Sequence, residues 1–418
     1  MLQLKPLQKW IQIAFINLLI VSLLGVIMRY KIAFYLPFIE QKNFLHAHSH
    51  FAFTGWVTQI LMILLWAFLY KYLPAASLKK YKWLVIINLV AAYGMLLTFP
   101  WEGYGVVSII FSTLSIFSGY IFAIVFWLDL NKIKTKVISA WWFKAALIFN
   151  VLSSCGAYFL SYMMVNHIQN ANEFLAATYY FLHFQYNGWF FFACMGLLTG
   201  QLTFISYKLQ KIIFWLFASA CIPAYFLSAL WLPMPEWVYV LVVAAAIAEV
   251  VGWWLLLKTI VAAKAEFFQN ISVQTEWLFI LSATALSIKV LLQLASVVPA
   301  LSKFAFGFRP VVIGYLHLMF LGVITLFIIG YCKKNDFIST GKRGNTGIII
   351  FVAGIILNEL LLLIQGLSYM NYIAVPYVNE WLLVAAVVMF AGILLMIMGL
   401  KKINALPNGS GETKMLRW

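Results

Sequence analysis

The chain has 418 residues, 65% of them hydrophobic and only 10% charged. No water-soluble domain of that length hides so much apolar surface, so the composition excludes a soluble enzyme and points to a polytopic membrane protein. The net charge of +16 does not indicate nucleic acid as a partner, because Lys and Arg sit in short segments between apolar runs, where they act as topology signals.

Crossing a hydrocarbon core of about 30 Å takes roughly 20 helical residues. Apolar runs of that kind fall near 10–28, 46–70, 82–100, 104–128, 141–165, 174–200, 211–232, 236–258, 276–298, 310–331, 346–367 and 380–400. They predict an all-α membrane protein with about 12 transmembrane helices, since an irregular lipid-facing backbone would leave its polar groups unpaired. The first run lacks a small-residue cleavage site and reads as a retained helix, not a removed signal peptide. Breaks are marked by Pro74, Pro100, Pro233 with Pro235, Pro299 and Pro376. The reading is one integral membrane domain over 1–405 and a polar, disordered cytoplasmic tail over 406–418.

With the N-terminus placed in the cytoplasm, 22 Lys and Arg residues fall on the cytoplasmic side. Only Arg29, Lys31, Lys42, Lys303 and Arg309 fall outside, and Lys289 lies within a span. That asymmetry predicts a bacterial-type inner (cytoplasmic) membrane protein with both termini cytoplasmic. Cys155, Cys194, Cys221 and Cys332 form no C-x-x-C or C-x-x-C-H pattern. Neither covalent haem attachment nor a disulfide framework is supported, and the thiols read as inert and buried.

One pattern recurs. His50-Phe51-Ala52-Phe53-Thr54-Gly55-Trp56 is repeated closely at His183–Trp189 and more loosely at His317–Val323, as His-x-x-aromatic-x-Gly at intervals of 133 and 134 residues. Three copies at nearly equal spacing suggest three similar units of four helices in a pseudo-threefold arrangement. The three histidines fall on predicted helices 2, 6 and 10, at depths of about 10–15 Å from the outer surface at ~1.5 Å per residue.

An intramembrane histidine is costly unless partnered, and neutral imidazole is both a common metal ligand and a haem axial ligand. The plain alternative is an interfacial histidine bonded to a carbonyl or water. Four residues after each His, on the same helical face, stand Thr54, Asn187 and Leu321; the first two are able to orient an imidazole. The motif glycines suit close helix approach. Trp56 and Trp189 read as packing or lipid-belt residues more than as porphyrin-stacking ones. His46, His48 and His50 alternate. On a helix His46 and His50 share a face, able to hold one small metal ion, while His48 points nearly opposite. The preferred reading puts His46 and His48 in the preceding loop, with His50 alone a ligand.

Glu249, Lys289 and Glu359 lie inside predicted spans and are expected to pair or to line a proton path, a structural Lys289–Glu pair being favoured, with Gln293 one turn from Lys289. Arg309 and Lys303 lie near His317 and read either as binding haem propionates or as ordinary loop charges. Glu102 reads as a turn residue.

Twelve helices in three groups of four, with histidines on helices 2, 6 and 10 near the outer surface, resemble subunit I of the haem–copper oxidases, a superfamily that includes the nitric oxide reductase large subunits. The nitric-oxide-response haem- and copper-containing membrane proteins look like a neighbouring family. The resemblance covers the whole chain in topology but only the three histidine helices in motif. It implies a low-spin, b-type-like haem held by His50 and His317, with His48 the alternative to His50. It also implies that His183 takes the place of a copper ligand. The chain departs from the family in three places: 211–232 contains no histidine pair, Tyr315-x-His317 replaces His-x-His, and Phe184-Gln185-Tyr186 follows His183. These departures imply that the family's oxygen-reducing binuclear site is absent or rebuilt; Tyr315 is a structural residue or an iron ligand.

The leading functional expectation is a redox protein passing electrons through haem, fed by a cytochrome, a quinol or another membrane subunit, or binding nitric oxide or dioxygen near His183. Second is a non-catalytic copper or haem binding, sensing or assembly protein. A solute transporter ranks last, because such folds usually show two repeated halves.

Overall fold

The computed structural model describes residues 5–302 and 308–401. Lys303 and the predicted tail at 406–418 lie outside the described residues. The long helices are α1 (Lys5–Ala33), α2 (Gln41–Leu69), α3 (Lys80–Glu102), α4 (Val106–Leu130), α5 (Ser139–Val165) and α6 (171–199). They continue as α7 (Tyr207–Cys221), α8 (Glu236–Ala262), α9 (Val273–Ser296), α10 (Arg309–Lys334), α11 (Lys342–Met370) and α12 (Val378–Met398). Among the described residues, strand pairing is limited to a two-residue antiparallel contact of Ser339–Thr340 with Leu400–Lys401.

Ten of these helices are long and apolar enough to cross a membrane, and eleven if α7 is joined to its bent continuation Pro223–Ala229. The protein is therefore an all-helical, multi-pass membrane protein. Helix α6 is as long as the others but more polar, carrying His183, Gln185 and Asn187 in its middle. The single span expected at 211–232 is bent by 43°, at Pro223, whose ring has no N–H to donate to the preceding turn. Pro100 does not break a helix as expected: it lies in the last turn of α3, which ends at Gly103 with φ 57°. Cys155 is exposed on α5, unlike the other three thiols.

Burial sorts the helices. In α2, 78% of the apolar window is buried, against 28–50% in the other nine, and α6 is buried almost continuously from His183 to Leu197. Helices α2, α6 and α10 meet at the centre. Phe53 lies 4.7 Å from Phe320 and 5.6 Å from Phe190, and Phe190 lies 5.8 Å from Phe320. Phe53 and Phe320 are the aromatic positions of two copies of the repeated motif, and the third, Tyr186, is 6.4 Å from Phe320. Trp56 donates from Nε1 to the Thr325 hydroxyl at 3.1 Å, and Trp189 to the Thr58 hydroxyl at 3.4 Å. Both indoles are buried, so they tie the inner helices together and do not form a lipid belt.

Each motif copy also carries the same backbone irregularity. A π-helical segment starts at the residue after each motif histidine: Phe51–Thr58, Phe184–Phe190 and Leu318–Thr325. Such segments disturb the regular i→i−4 ladder, so carbonyls there need other donors. Neighbouring helices supply them. Asn17 of α1 donates to the Gly55 carbonyl at 2.6 Å, Asn88 of α3 to that of Thr54 at 3.1 Å, and Ser282 of α9 to that of Val323 at 2.8 Å.

The motif glycines permit the approach. A Cβ on Gly188 would stand 2.5 Å from the Phe149 Cβ of α5, and one on Gly322 3.0 Å from the Ala285 Cβ of α9. At the Lys-rich end of the bundle, the fully buried Asp129 joins α3 to α4. It accepts from Lys80 at 2.8 Å, Lys132 at 2.7 Å and Tyr81 at 2.9 Å.

A prediction follows from the glycine contacts. Gly188→Ala overpacks against Phe149 and should lower stability in detergent by about 1–3 kcal/mol. Gly314→Ala, whose Cβ would meet Leu362 at an ordinary 3.5 Å, should leave the melting temperature near that of the parent. Equal melting temperatures for the two variants would contradict the packing.

Candidate functional site

The three histidines at 46, 48 and 50 all belong to the regular first part of α2, which begins at Gln41 with Glu40 as its N-cap. His46 and His48 are therefore helical, not loop residues. Successive side chains turn by about 100°, so His46 and His50 share a face and His48 points nearly the opposite way. The contacts follow that division.

His48 faces α1 and α10. Its Nδ1 lies 3.1 Å from the Val21 carbonyl oxygen, and Gly25 leaves room beside its ring. His317 has its Nδ1 2.8 Å from the carbonyl oxygen of Ile313, one turn back. A carbonyl only accepts, so in both rings Nδ1 carries the proton and the neutral imidazole keeps its lone pair on Nε2. His48 and His317 lie within electrostatic reach of one another and both feel the Arg29 guanidinium. Arg29 is half-buried near the end of α1 and lies within reach of Arg309 at the start of α10. Among the described residues the ion pairs involve Asp129 and Glu249, so the two like charges have no carboxylate partner.

Of the three α2 histidines, His48 is the one within electrostatic reach of His317. His50 is turned away: its ring stacks on Phe99 with centroids 4.4 Å apart, and its Nε2 meets the Tyr104 hydroxyl at 3.1 Å. Arg29 was not among the residues singled out from sequence. Its signal was present there as one of the few cations on the sparsely charged side.

His183 sits apart and is buried. Its Nε2 lies 2.8 Å from the Cys221 carbonyl oxygen, and its Nδ1 faces the Asn187 side-chain amide at 3.2 Å. With Nε2–H donating to the carbonyl and Nδ1 accepting from the amide, neither nitrogen offers a lone pair to a metal. The expected place of a copper ligand is occupied by a histidine committed to protein hydrogen bonds.

Around it lies a buried polar cluster. Lys289 on α9 pairs with Glu249 on α8 at 3.6 Å, both side chains nearly inaccessible (5% and 6%). Lys289 acts electrostatically on His183, and Glu249 on Tyr186 and Tyr315. Tyr315 lies near the Asn187 side-chain amide and 6.2 Å, ring to ring, from Tyr186. Gln293, one turn from Lys289, is buried with its Oε1 lacking a hydrogen-bond partner. Glu359 is placed on α11, where its nearest polar contact is the Asn358 amide at 3.1 Å. Thr54 contributes its backbone carbonyl to Asn88. Glu102 accepts from the Ser108 amide at 2.5 Å, at the start of α4.

Two arrangements therefore emerge. One has two imidazoles that keep an Nε2 lone pair and two guanidinium groups without a carboxylate partner among the described residues. The other is a buried polar cluster in which His183 is bonded at both nitrogens while Asn187 Oδ1 and Gln293 Oε1 lack a hydrogen-bond partner. Among the described residues no three His, Cys, Asp or Glu side chains converge as a metal cluster. No protein-family model matches the chain, and no curated protein matches it.

The buried pair makes a prediction. Lys289→Met leaves the Glu249 carboxylate without its partner and should cost about 3–5 kcal/mol, whereas Lys289→Met with Glu249→Leu should recover much of that loss. Unfolding in detergent measures it; a double variant no more stable than the single would show that the two groups are not coupled.

Proposed function

We propose that the protein is a haem-carrying electron-transfer protein of the membrane, with His48 and His317 as axial ligands. The observation that carries this reading is the shared state of the two rings. Each is fixed by an Nδ1–H bond to a backbone carbonyl, each keeps its Nε2 lone pair, and they belong to different helices within reach of each other. A donor hydrogen bond at the far nitrogen orients a ligating imidazole and raises its basicity. Arg29 and Arg309 fit the group's charge: two guanidinium groups without a carboxylate partner among the described residues suit two carboxylates such as porphyrin propionates. The residues present thus match the donor set and the charge of a b-type haem.

When bound, haem supplies one-electron chemistry whose potential the axial ligands and burial tune. The chain's own part would be to hold the group through the Nε2 atoms of His48 and His317, to neutralise its carboxylates with Arg29 and Arg309, and to keep water away with aromatic residues such as Phe53 and Phe320. With His48 and His317 both holding it, a bound haem would supply electron transfer in preference to chemistry on a gas. His183 and its cluster are read as structural, and as the substitute for the family's second metal centre.

This reading carries a wider one. Twelve spans, in a pseudo-threefold arrangement with α2, α6 and α10 innermost, would make the chain a divergent relative of haem–copper oxidase subunit I. The recurrence of the π segment after each motif histidine supports three equivalent units. The Lys and Arg asymmetry supports an inner-membrane location with both termini cytoplasmic. The electron donor would be a cytochrome, a quinol or a neighbouring membrane subunit.

Purified protein expressed with ample haem should show a Soret band, lost in His48→Ala and in His317→Ala and retained in His50→Ala. Carbon monoxide should leave the reduced spectrum unchanged. A Soret band that survives both His48→Ala and His317→Ala would overturn the assignment, and a carbon monoxide shift would move the reading to ligand chemistry at an open iron position.

A further inference from the structure

We propose a second, separate metal site on the opposite face of α2, formed by His46, His50 and the Tyr104 hydroxyl, which takes one divalent transition ion of the Zn2+ or Cu2+ type. It does not depend on the haem reading, because it uses the two histidines that turn away from His48 and His317.

The geometry supplies the donors. His46 and His50 are one turn apart, a spacing that puts two imidazoles on one helix face with Cβ atoms about 5–6 Å apart. Both rings contact the same tyrosine: Tyr104 lies 4.6 Å from the His46 ring and 5.9 Å from the His50 ring, centroid to centroid. The His50 Nε2 and the Tyr104 hydroxyl are already 3.1 Å apart. The Nε2 of His46 is buried and has no hydrogen-bond partner. A buried ring nitrogen left unpaired is costly, and it calls for an occupant.

The surroundings hold these groups in place. Phe99 stacks under His50 and lies 6.1 Å from His46. Tyr104 is brought over α2 by the tight turn at Gly103, whose φ of 57° and contact with the Asn43 side chain exclude a Cβ. The nearest cation to His46 is Lys42, one turn back and exposed, so its ammonium can extend into solvent. Imidazole nitrogen and phenol oxygen are donors that suit Zn2+ and Cu2+, with a remaining position for water. Its place beside the turn between α3 and α4, with Tyr104 partly exposed (42%), makes the site reachable from outside the bundle.

The test uses the full-length chain in detergent, stripped with a chelator and titrated with Zn2+ alone by calorimetry. Cu2+ is added in a parallel sample for electron paramagnetic resonance. One ion per chain is expected, with a copper spectrum showing coupling to two nitrogens. His46→Ala should weaken binding by about tenfold or more and reduce the coupling to one nitrogen. His50→Ala should act likewise, and Tyr104→Phe more mildly. His48→Ala should leave metal affinity unchanged while removing the Soret band, which separates this site from the haem reading. His46→Ala decides the matter if His50→Ala, whose ring stacks on Phe99, fails to fold. No binding by the parent chain, or unchanged affinity in His46→Ala, overturns the proposal.

Discussion

The structure depends on satisfying backbone groups that the membrane interior will not hydrate. Three inner helices depart from the α ladder at the same point, the residue after a motif histidine. Carbonyls of the α2 segment are met by Asn17 and Asn88 from α1 and α3, and one of the α10 segment by Ser282 from α9. In a hydrocarbon core an unpaired carbonyl costs several kcal/mol, so these side chains have little freedom to be anything else. The motif glycines belong to the same device, since Gly188 and Gly322 let α5 and α9 come close enough to pack against the disturbed segments.

The site follows from that backbone. Each motif histidine is the last residue before its π segment, so its direction is set by the regular turn behind it. In α2 that turn carries three histidines, and the alternation distributes them. His48 goes toward α1 and α10, where Arg29 and Arg309 stand. His46 and His50 go toward Phe99 and Tyr104. One short stretch of helix therefore offers donor groups to two places that do not compete. His183, by contrast, is used up by Cys221 and Asn187, and the charge pair Lys289–Glu249 lies beside it. A buried ammonium thus stands next to a histidine whose two ring nitrogens are both engaged by the protein.

Much of the fold was legible from the sequence because the membrane imposes a length and a polarity on each helix. Ten of the predicted spans are apolar, length-matched helices. The departures have local causes. Pro223 bends the seventh run because it lacks an N–H, and Pro100 is tolerated because the last turn of α3 holds it. Helix α6 is less apolar than the ten helices that qualify as spans, and its polar middle lies in a stretch buried from His183 to Leu197. Arg29 was legible only as a charge on the sparse side; its tie to Arg309 needed two distant helix ends brought together.

The sequence alone determined that this is a multi-pass helical membrane protein, that one histidine motif recurs three times, and which ionisable groups lie in apolar surroundings. Hydropathy and spacing are local properties, and they survive without knowledge of neighbours. Only the tertiary structure decided which histidine faces which. His48, not His50, reaches toward His317, and Lys289 finds Glu249 but not Glu359. Those choices turn on a helix's rotation about its own axis, and that rotation is set by the neighbours that satisfy its backbone and fill the space at its glycines.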